Sequence, residues 1–387
     1  MKIVIVGAGT AGVNAAFWLR QYGYTGEIRL LSNEAVAPYQ RPPLSKAFLT
    51  SETAASTPPL KSEDFYKNNN INISLNTVVV SINVERKVVS AKNGEEYTYD
   101  KLILATGANA RRLTCEGSEL SGVCYLRNIE DAKNLRRKLA ESTSVVVLGG
   151  GVIGLEVASA AVGLGKKVTV IEAAPRVMAR VVTPAAANLV RARLEVEGVE
   201  FMLNAKLTSI KGMNGHVDKC VLASGEKIQT DLIVVGIGAI PELGLAAEAA
   251  LEVSNGVVVN EQMRTSDINI YAIGDCALAR NPFFEAMVRL ETIHNAVTQA
   301  QIVASGICGT SRPTPTPPRF WSDLKGITLQ GLGALKDYDK LVVATNTKAV
   351  ELEVLAYKNE ILIATETINL PKRQGLLGES ITMPEYQ

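Results

Sequence analysis

The chain carries one local pattern twice: a continuous apolar run that ends in a glycine turn and passes into a helix-periodic segment. Ile3 to Val6 runs into Gly7-Ala8-Gly9-Thr10-Ala11-Gly12, and Val145 to Leu148 runs into Gly149-Gly150-Gly151-Val152-Ile153-Gly154, 142 residues later. Helical patterns follow at Val13 to Tyr22 and Leu155 to Leu164, and each leads to a second apolar strand, Glu27 to Leu31 and Lys167 to Ile171. Continuous apolar strands belong in a parallel sheet covered on both faces. At the glycine frequency of this chain roughly 0.2 chance matches to G-x-G-x-x-G are expected, so two matches, each between a strand and a helix, constrain the fold strongly. Glycine is needed for a tight turn, for close backbone approach to a pyrophosphate and for close helix-to-strand packing. The helix N-terminus then offers free N–H groups to the phosphates. Gly7, Gly9, Thr10, Ala11 and Gly12 are the binding candidates of the first unit; Gly149, Gly151, Val152, Ile153 and Gly154 are those of the second.

A carboxylate some 20 residues further on is expected to take the ribose hydroxyls. Glu172 closes the second unit's Lys167 to Ile171 strand, 23 residues after Gly149. A carboxylate there accepts from a 2′-hydroxyl and repels a 2′-phosphate, which favours NADH over NADPH; Arg176 and Arg180 nearby pull the other way. In the first unit the equivalent strand end is Ser32, and Glu34 is either the ribose carboxylate or a solvated loop charge. Two dinucleotide sites in one chain mean two dinucleotides, of which FAD with NADH is the simplest pair.

The rest of the chain fits an internal duplication. A β-rich stretch from Ile71 to Ile103, with a turn at Asn93-Gly94, ends in Leu102-Ile103-Leu104-Ala105-Thr106-Gly107. After the second unit, Val217 to Leu222 and Lys227 to Gln229 flank Ser224-Gly225, and Asp231 to Gly236 is again apolar. Pro313 to Pro318 reads as a linker, and Phe320 to Gln387 as a small α/β module with strands near Leu341-Val343 and Leu352-Leu355. The expected fold is α/β, with two Rossmann-like dinucleotide-binding domains and a small C-terminal α/β interface domain. Residues 1–107 and 237–316 form a discontinuous FAD-binding domain, 108–236 the NADH-binding domain and 317–387 the interface domain.

Composition excludes other classes. Forty Lys plus Arg against 39 Asp plus Glu leave a net charge of +1, so there is no basic bias toward nucleic acid or an anionic membrane. Five cysteines without CxxC or CxxxxC spacing fit a reducing cytoplasm and argue against a disulfide framework. Two histidines, His216 and His294, cannot supply a His-rich metal site. No signal-like start or run of 18 apolar residues occurs, so the chain is read as cytoplasmic, neither secreted nor membrane-spanning.

Several segments together resemble a known family. They are Tyr39-Gln40-Arg41-Pro42-Pro43-Leu44-Ser45-Lys46, Ala105-Thr106-Gly107-Ala108, Gly150-Gly151-Val152-Ile153-Gly154-Leu155-Glu156, Tyr271-Ala272-Ile273-Gly274-Asp275-Cys276-Ala277 and Phe320-Trp321-Ser322-Asp323. With the N-terminal glycine turn they are similar to the FAD-dependent, NADH-using ferredoxin reductases, such as the reductase components of Rieske oxygenase systems and the putidaredoxin and rubredoxin reductases. The resemblance implies electron transfer from NADH through FAD to a [2Fe–2S] ferredoxin or a rubredoxin, by a monomer or homodimer serving an oxygenase system. It implies that Arg41 lies near the FAD phosphates and Lys46 near the isoalloxazine, with Glu156 pairing Lys46 at the flavin–nicotinamide junction; these two are the catalytic candidates. Ala105, Thr106, Gly107 and Asp275 would line the FAD site, with Asp275 on a ribityl hydroxyl. Arg180 and Gly238 would lie on the NADH side. Arg289-Leu290-Glu291, with Asn295 and Gln299, would form a helix passing the flavin, where Glu291 contacts it or is only a helix-face charge. Trp321 would sit against the flavin edge, facing the acceptor, and Trp18 reads as core. Asn33, Arg319 and Leu324-Lys325 depart from the family pattern.

What is missing narrows the subclass. Residues 33 to 114 contain no cysteine, so no dithiol or sulfenic acid can form where related disulfide reductases and peroxidases carry one. Cys276 reads as a small core residue. Arg312, Arg319 and Lys325 form a local positive cluster that could steer an acidic ferredoxin toward Trp321, or be solvated linker charges. The alternatives are an NADH oxidase or monodehydroascorbate-type reductase with a small acceptor, and a redox-sensing interaction protein resembling apoptosis-inducing factor.

Overall fold

A computed structural model describes residues 1–51, 56–378 and 380–381; the last residues assigned to the interface domain, 382–387, lie outside the described residues. The first apolar run is the central strand Lys2–Val6 of a five-stranded parallel sheet. Its neighbours are Glu27–Leu31 and Lys101–Leu104, and the edges are Ile71–Ser74 and Ile270–Ala272. The sheet therefore takes its last strand from the chain after it has left for the second unit and returned. Both faces are covered, which is why Ile3 to Val6 carry no polar residue. The helices Thr10–Gln21 and Ile293–Cys308 pack side by side on the sheet.

The second unit repeats the plan. Ser144–Leu148 lies at the centre of a five-stranded parallel sheet, between Lys167–Ile171 and Leu232–Val235, with Val199–Met202 and Val123–Tyr125 at the edges. Small antiparallel sheets accompany both units: Val79–Asn83, Val88–Ala91 and Glu96–Thr98 beside the first, and Leu207–Met213, His216–Leu222 and Lys227–Gln229 beside the second. Ala108–Ala110 pairs antiparallel with Ala239–Pro241, so the two crossings between the units run as one ribbon.

Both helices after the glycine turns begin earlier than their periodicity suggests, at Thr10 and Val152. The third glycine of each turn, Gly12 and Gly154, lies inside the first helical turn. Glycine weakens a helix interior, but these two pack against the turn itself.

The C-terminal module is an antiparallel sheet in the order Arg319–Leu324, Ile327–Gly333, Ile361–Ile368, Glu351–Lys358, Lys340–Asn346, with one helix, Pro371–Gly378. The two strands expected from the sequence are there, and three more. Leu352, Val354 and Ala356 alternate inward. Leu324, Ile327, Leu329, Leu352, Val354 and Ile368 share one core with Val145, Leu155 and Val190 of the second unit, so the module is docked rather than tethered. Gly331 faces Phe320 across the first strand pair, where a Cβ would lie 1.9 Å from the ring. Among the described residues no helix is long and apolar enough to cross a membrane, and no group of three or more His, Cys, Asp or Glu could hold a metal ion.

Candidate functional site

The two glycine turns have the same stereochemistry. Gly7 and Gly149 adopt φ of +111° and +98°, a region that only glycine enters freely. A Cβ on Gly7 would lie 2.1 Å from the Ala105 carbonyl oxygen, and one on Gly149 2.5 Å from that of Gly236. A Cβ on Gly12 would lie 1.9 Å from the Gly7 oxygen, and one on Gly154 2.0 Å from the Gly149 oxygen. These four glycines are required by the protein's own backbone. At Gly9 and Gly151 an added Cβ meets nothing within 4 Å among the described residues. The middle glycines are thus free of any internal demand and line an open cradle. Among the described residues no side chain caps either helix, which leaves first-turn N–H groups to a ligand. Ile153, on the first turn of the second helix, is 46% exposed beside this cradle. Both cradles fit the pyrophosphate of a dinucleotide.

Each cradle has a carboxylate at the end of the adjacent strand. Glu172 accepts from the Gly150 N–H and the Ala174 N–H, each at 2.7 Å, so it braces the glycine turn as well as facing the site. Arg176 donates to the Val182 and Ala179 carbonyls, which fix its guanidinium and leave its charge in place. In the first unit Glu34 takes the Arg41 guanidinium at 2.6 Å and the Tyr39 hydroxyl at 2.6 Å. Arg41 also donates to the Arg127 carbonyl, and the Ile129 N–H donates to the Tyr39 oxygen. Burial, reinforced by Glu34, pushes the Tyr39 phenol far above its usual range despite the nearby Arg41, so Tyr39 stays a neutral donor to the carboxylate.

The other FAD-side candidates converge from distant segments. Arg127 pairs with Asp275 at 2.7 Å across 148 residues. The Thr106 hydroxyl donates to the Glu242 carbonyl, and Gly107 lies beside Arg127. Ala105 forms the wall behind Gly7. On the second side Arg180 is exposed and approaches Gly238. Glu291 does not lie on the helix expected to pass the flavin. It precedes that helix, is exposed, and pairs with Arg289 at 2.5 Å. Thr292 starts the helix by accepting from the Asn295 N–H, which places Glu291 outside it.

The two units meet at Glu156. This carboxylate, 3% exposed on the second unit's Val152–Gly163 helix, lies 2.9 Å from Lys46 Nζ. It also accepts from Ser45 Oγ at 2.5 Å and Ser322 Oγ at 2.7 Å. Lys46 follows a short 3-10 turn, Pro42–Ser45, whose prolines fix the chain so that Ser45 and Lys46 point the same way. Trp321, next to Ser322 on the Arg319–Leu324 strand, is 42% exposed. Trp18 is partly buried against the first core, and Cys276 is fully buried there. The positive cluster near the linker is largely neutralised: Arg312 pairs with Glu261 and Lys325 with Glu197, leaving Arg319 as the exposed charge. Sequence reasoning missed Arg127 and gave no role to Tyr39, Ser45 or Ser322. The last three lay within quoted segments. Arg127 had no local signal.

Comparison with known proteins agrees with this architecture. A family model described as pyridine nucleotide-disulphide oxidoreductase matches residues 1–300, and one described as reductase C-terminal matches residues 319–380. The chain is 84% identical over 385 residues to a rubredoxin-NAD(+) reductase of Pseudomonas putida, covering 100% of both. It is 36% identical over 390 residues to a probable ferredoxin reductase of Castellaniella defragrans, covering 99% of this chain and 95% of the relative. The crystal structure of a covalent putidaredoxin reductase–putidaredoxin complex superposes with a TM-score of 0.93 at 35% identity, covering 98% of this chain and 92% of that one.

Proposed function

The chain belongs to the pyridine nucleotide-disulphide oxidoreductase family, and from that premise we propose that it carries electrons from NADH through FAD to rubredoxin. The family implies FAD and NAD(H), and the chain is a flavoprotein NAD-dependent oxidoreductase of electron transfer. The choice of acceptor rests on the relatives. The one named for rubredoxin is 84% identical and the one named for ferredoxin 36%, so rubredoxin takes the place of the [2Fe–2S] ferredoxin that the sequence resemblance put first.

The observation that carries the electron-transfer reading is the junction of Lys46 with Glu156, where the two cradle-bearing units meet. FAD, when bound, takes two electrons from NADH and yields them one at a time. The balance is one NADH and two oxidised rubredoxins giving NAD⁺, a proton and two reduced rubredoxins. In this reading the N–H groups of Thr10, Ala11 and Gly12, with Arg41 and Arg127, hold the FAD pyrophosphate. Glu34 and Asp275 exchange their arginine partners for hydroxyls of the cofactor. Gly151 and the N–H groups of Val152, Ile153 and Gly154 hold the NADH pyrophosphate, with Arg180 and Gly238 at its flank, and Glu172 takes the ribose hydroxyls. Lys46 places a positive charge where negative charge arises on reduction, and Glu156 fixes the ammonium there. Trp321 faces the acceptor. The same reading divides the chain into 1–107 with 237–316, 108–236 and 317–387.

No thiol takes part. All five cysteines are unpaired, and none lies between residues 33 and 114. The test is steady-state NADH oxidation with rubredoxin and with a [2Fe–2S] ferredoxin as alternative acceptors. The proposal expects the larger kcat/KM with rubredoxin. A larger value with ferredoxin would replace the acceptor, and no turnover with either would remove the electron-transfer reading.

A further inference from the structure

We propose that Ser322 is a positioning residue, through which the C-terminal module sets how Glu156 holds Lys46. The inference rests on the role given above to that pair. A buried carboxylate must have its lone pairs satisfied. Glu156 draws its donors from three segments: Ser45 and Lys46 from the first unit, and Ser322 from the C-terminal module. Ser322 Oγ and Lys46 Nζ reach the same oxygen, Oε1, at 2.7 and 2.9 Å. An ionised carboxylate only accepts, so the hydroxyl proton of Ser322 is committed to it.

The strand gives Ser322 little freedom. Burial alternates along Arg319–Leu324, with Ser322 0% exposed between the exposed Trp321 and Asp323. Ser322 is in register with Leu329 on the next strand. Three residues on, the Lys325 N–H donates to Ser159 Oγ at 2.8 Å. Ser159 stands one turn along the helix from Glu156, so the module is pinned twice to one helix face. Only one of the two pins touches the carboxylate.

Removing the Ser322 hydroxyl leaves Lys46, among the described residues, as the one donor on Oε1. Glu156 then draws the ammonium more strongly, and Lys46 offers less to negative charge on its other side. The expected result is a slower reduction step and a more negative flavin potential, with NADH binding little changed.

The experiment uses the flavin-loaded protein with Ser322→Ala, Ser322→Thr and Ser159→Ala. The midpoint potential is measured by equilibration with reference dyes, and the limiting rate and apparent Kd for NADH by stopped-flow bleaching of the flavin. Ser322→Ala is expected to shift the potential negative and slow the limiting rate about tenfold, the scale of one hydrogen bond to a charged group, with Kd changed less than about twofold. Ser322→Thr, which keeps the hydroxyl, should hold the wild-type potential. Ser159→Ala, which cuts only the other pin, should also hold it. A wild-type potential and rate in Ser322→Ala would overturn the proposal. So would matching shifts in Ser159→Ala, which would mark a merely structural role. Should Ser322→Ala not retain flavin, Ser322→Cys, a weaker donor of similar size, is read in its place. The potential requires neither NADH nor an acceptor protein. If wild-type flavin fails to pass electrons to rubredoxin, the acceptor reading falls while the potentials still decide this one.

Discussion

Alanine at Gly9 and at Gly12 should have opposite consequences, although the two glycines are three residues apart in one turn. At Gly12 the new Cβ would lie 1.9 Å from the Gly7 carbonyl oxygen, well inside van der Waals contact, and the obstacle is backbone. Helix and strand would have to separate by more than an ångström, and overpacking of this kind costs about 1–3 kcal/mol or more. At Gly9 the Cβ meets nothing within 4 Å, and φ −77°, ψ −169° is open to any residue. Alanine there restricts the unfolded chain, which offsets alanine's poorer fit to the N-cap position, and should leave the flavin-free protein within about 1 kcal/mol of wild type. The damage falls on the ligand, because the methyl occupies the space through which a pyrophosphate reaches the first-turn N–H groups. Losing one such charge-assisted bond, about 1.5–3 kcal/mol, weakens FAD binding about tenfold to a hundredfold. The assay is flavin fluorescence quenching on titrating stripped protein with FAD, beside thermal melting without FAD. Gly151→Ala should repeat the effect on NADH and spare FAD. Wild-type FAD affinity in Gly9→Ala, or equal loss of flavin-free stability at both positions, would refute the argument that the middle glycine serves a ligand.

Three further outcomes follow from the geometry. Glu172→Gln removes the charge that repels a 2′-phosphate while keeping an oxygen for the turn, so the NADH-to-NADPH ratio of kcat/KM should fall about tenfold, worth ~1.4 kcal/mol; an unchanged ratio contradicts the ribose role. Glu366, 0% exposed, accepts from the Thr183 N–H and hydroxyl, and burial raises its carboxyl above the ordinary 4.5 although Thr183 and Arg176 act to lower it. A raised folded-state value means that its stabilising contribution is complete below the unfolded value and is lost as pH rises through the folded one. Glu366→Gln should therefore gain Tm over wild type as pH rises above the ordinary carboxyl value of 4.5 and level off once the native carboxyl has ionised, and a difference independent of pH would exclude this linkage. Burial pushes all five thiols up, Cys124 to about 11 and Cys220 to about 12. Iodoacetamide at neutral pH should accordingly leave NADH-dependent flavin bleaching unchanged, whereas inactivation before unfolding would implicate a thiol.

The parts of the molecule legible in sequence are those whose demands are local. Ile3 to Val6 and Val145 to Leu148 announce buried strands because both faces are covered, and Gly12 and Gly154 answer clashes within their own turns, whereas Gly7 and Gly149 answer carbonyls of distant strand ends at Ala105 and Gly236. The Arg319–Leu324 strand was hidden because its alternation runs against hydropathy: Ser322 points inward and Trp321 outward. A serine is buried there because Glu156 needs a donor, and that need is visible only once the two segments meet. Arg127 and Asp275 are joined across 148 residues, and no spacing rule reaches so far. Glu291 was placed on the helix by the family resemblance alone; the Thr292 hydroxyl accepts from the Asn295 N–H and starts the helix after it. The charges of Arg312 and Lys325 looked free in sequence because Glu261 and Glu197 come from other elements.

The central claim, that electrons pass from NADH through the flavin to a small iron protein, is tested most directly by one anaerobic mixing experiment. The flavin-loaded protein is reduced with one equivalent of NADH, two equivalents of oxidised rubredoxin are added, and the flavin and iron absorbances are followed together. The account predicts that the flavin bleaches with NADH, then regains its colour as both rubredoxins lose theirs. Flavin that bleaches but stays reduced while rubredoxin keeps its colour would contradict it.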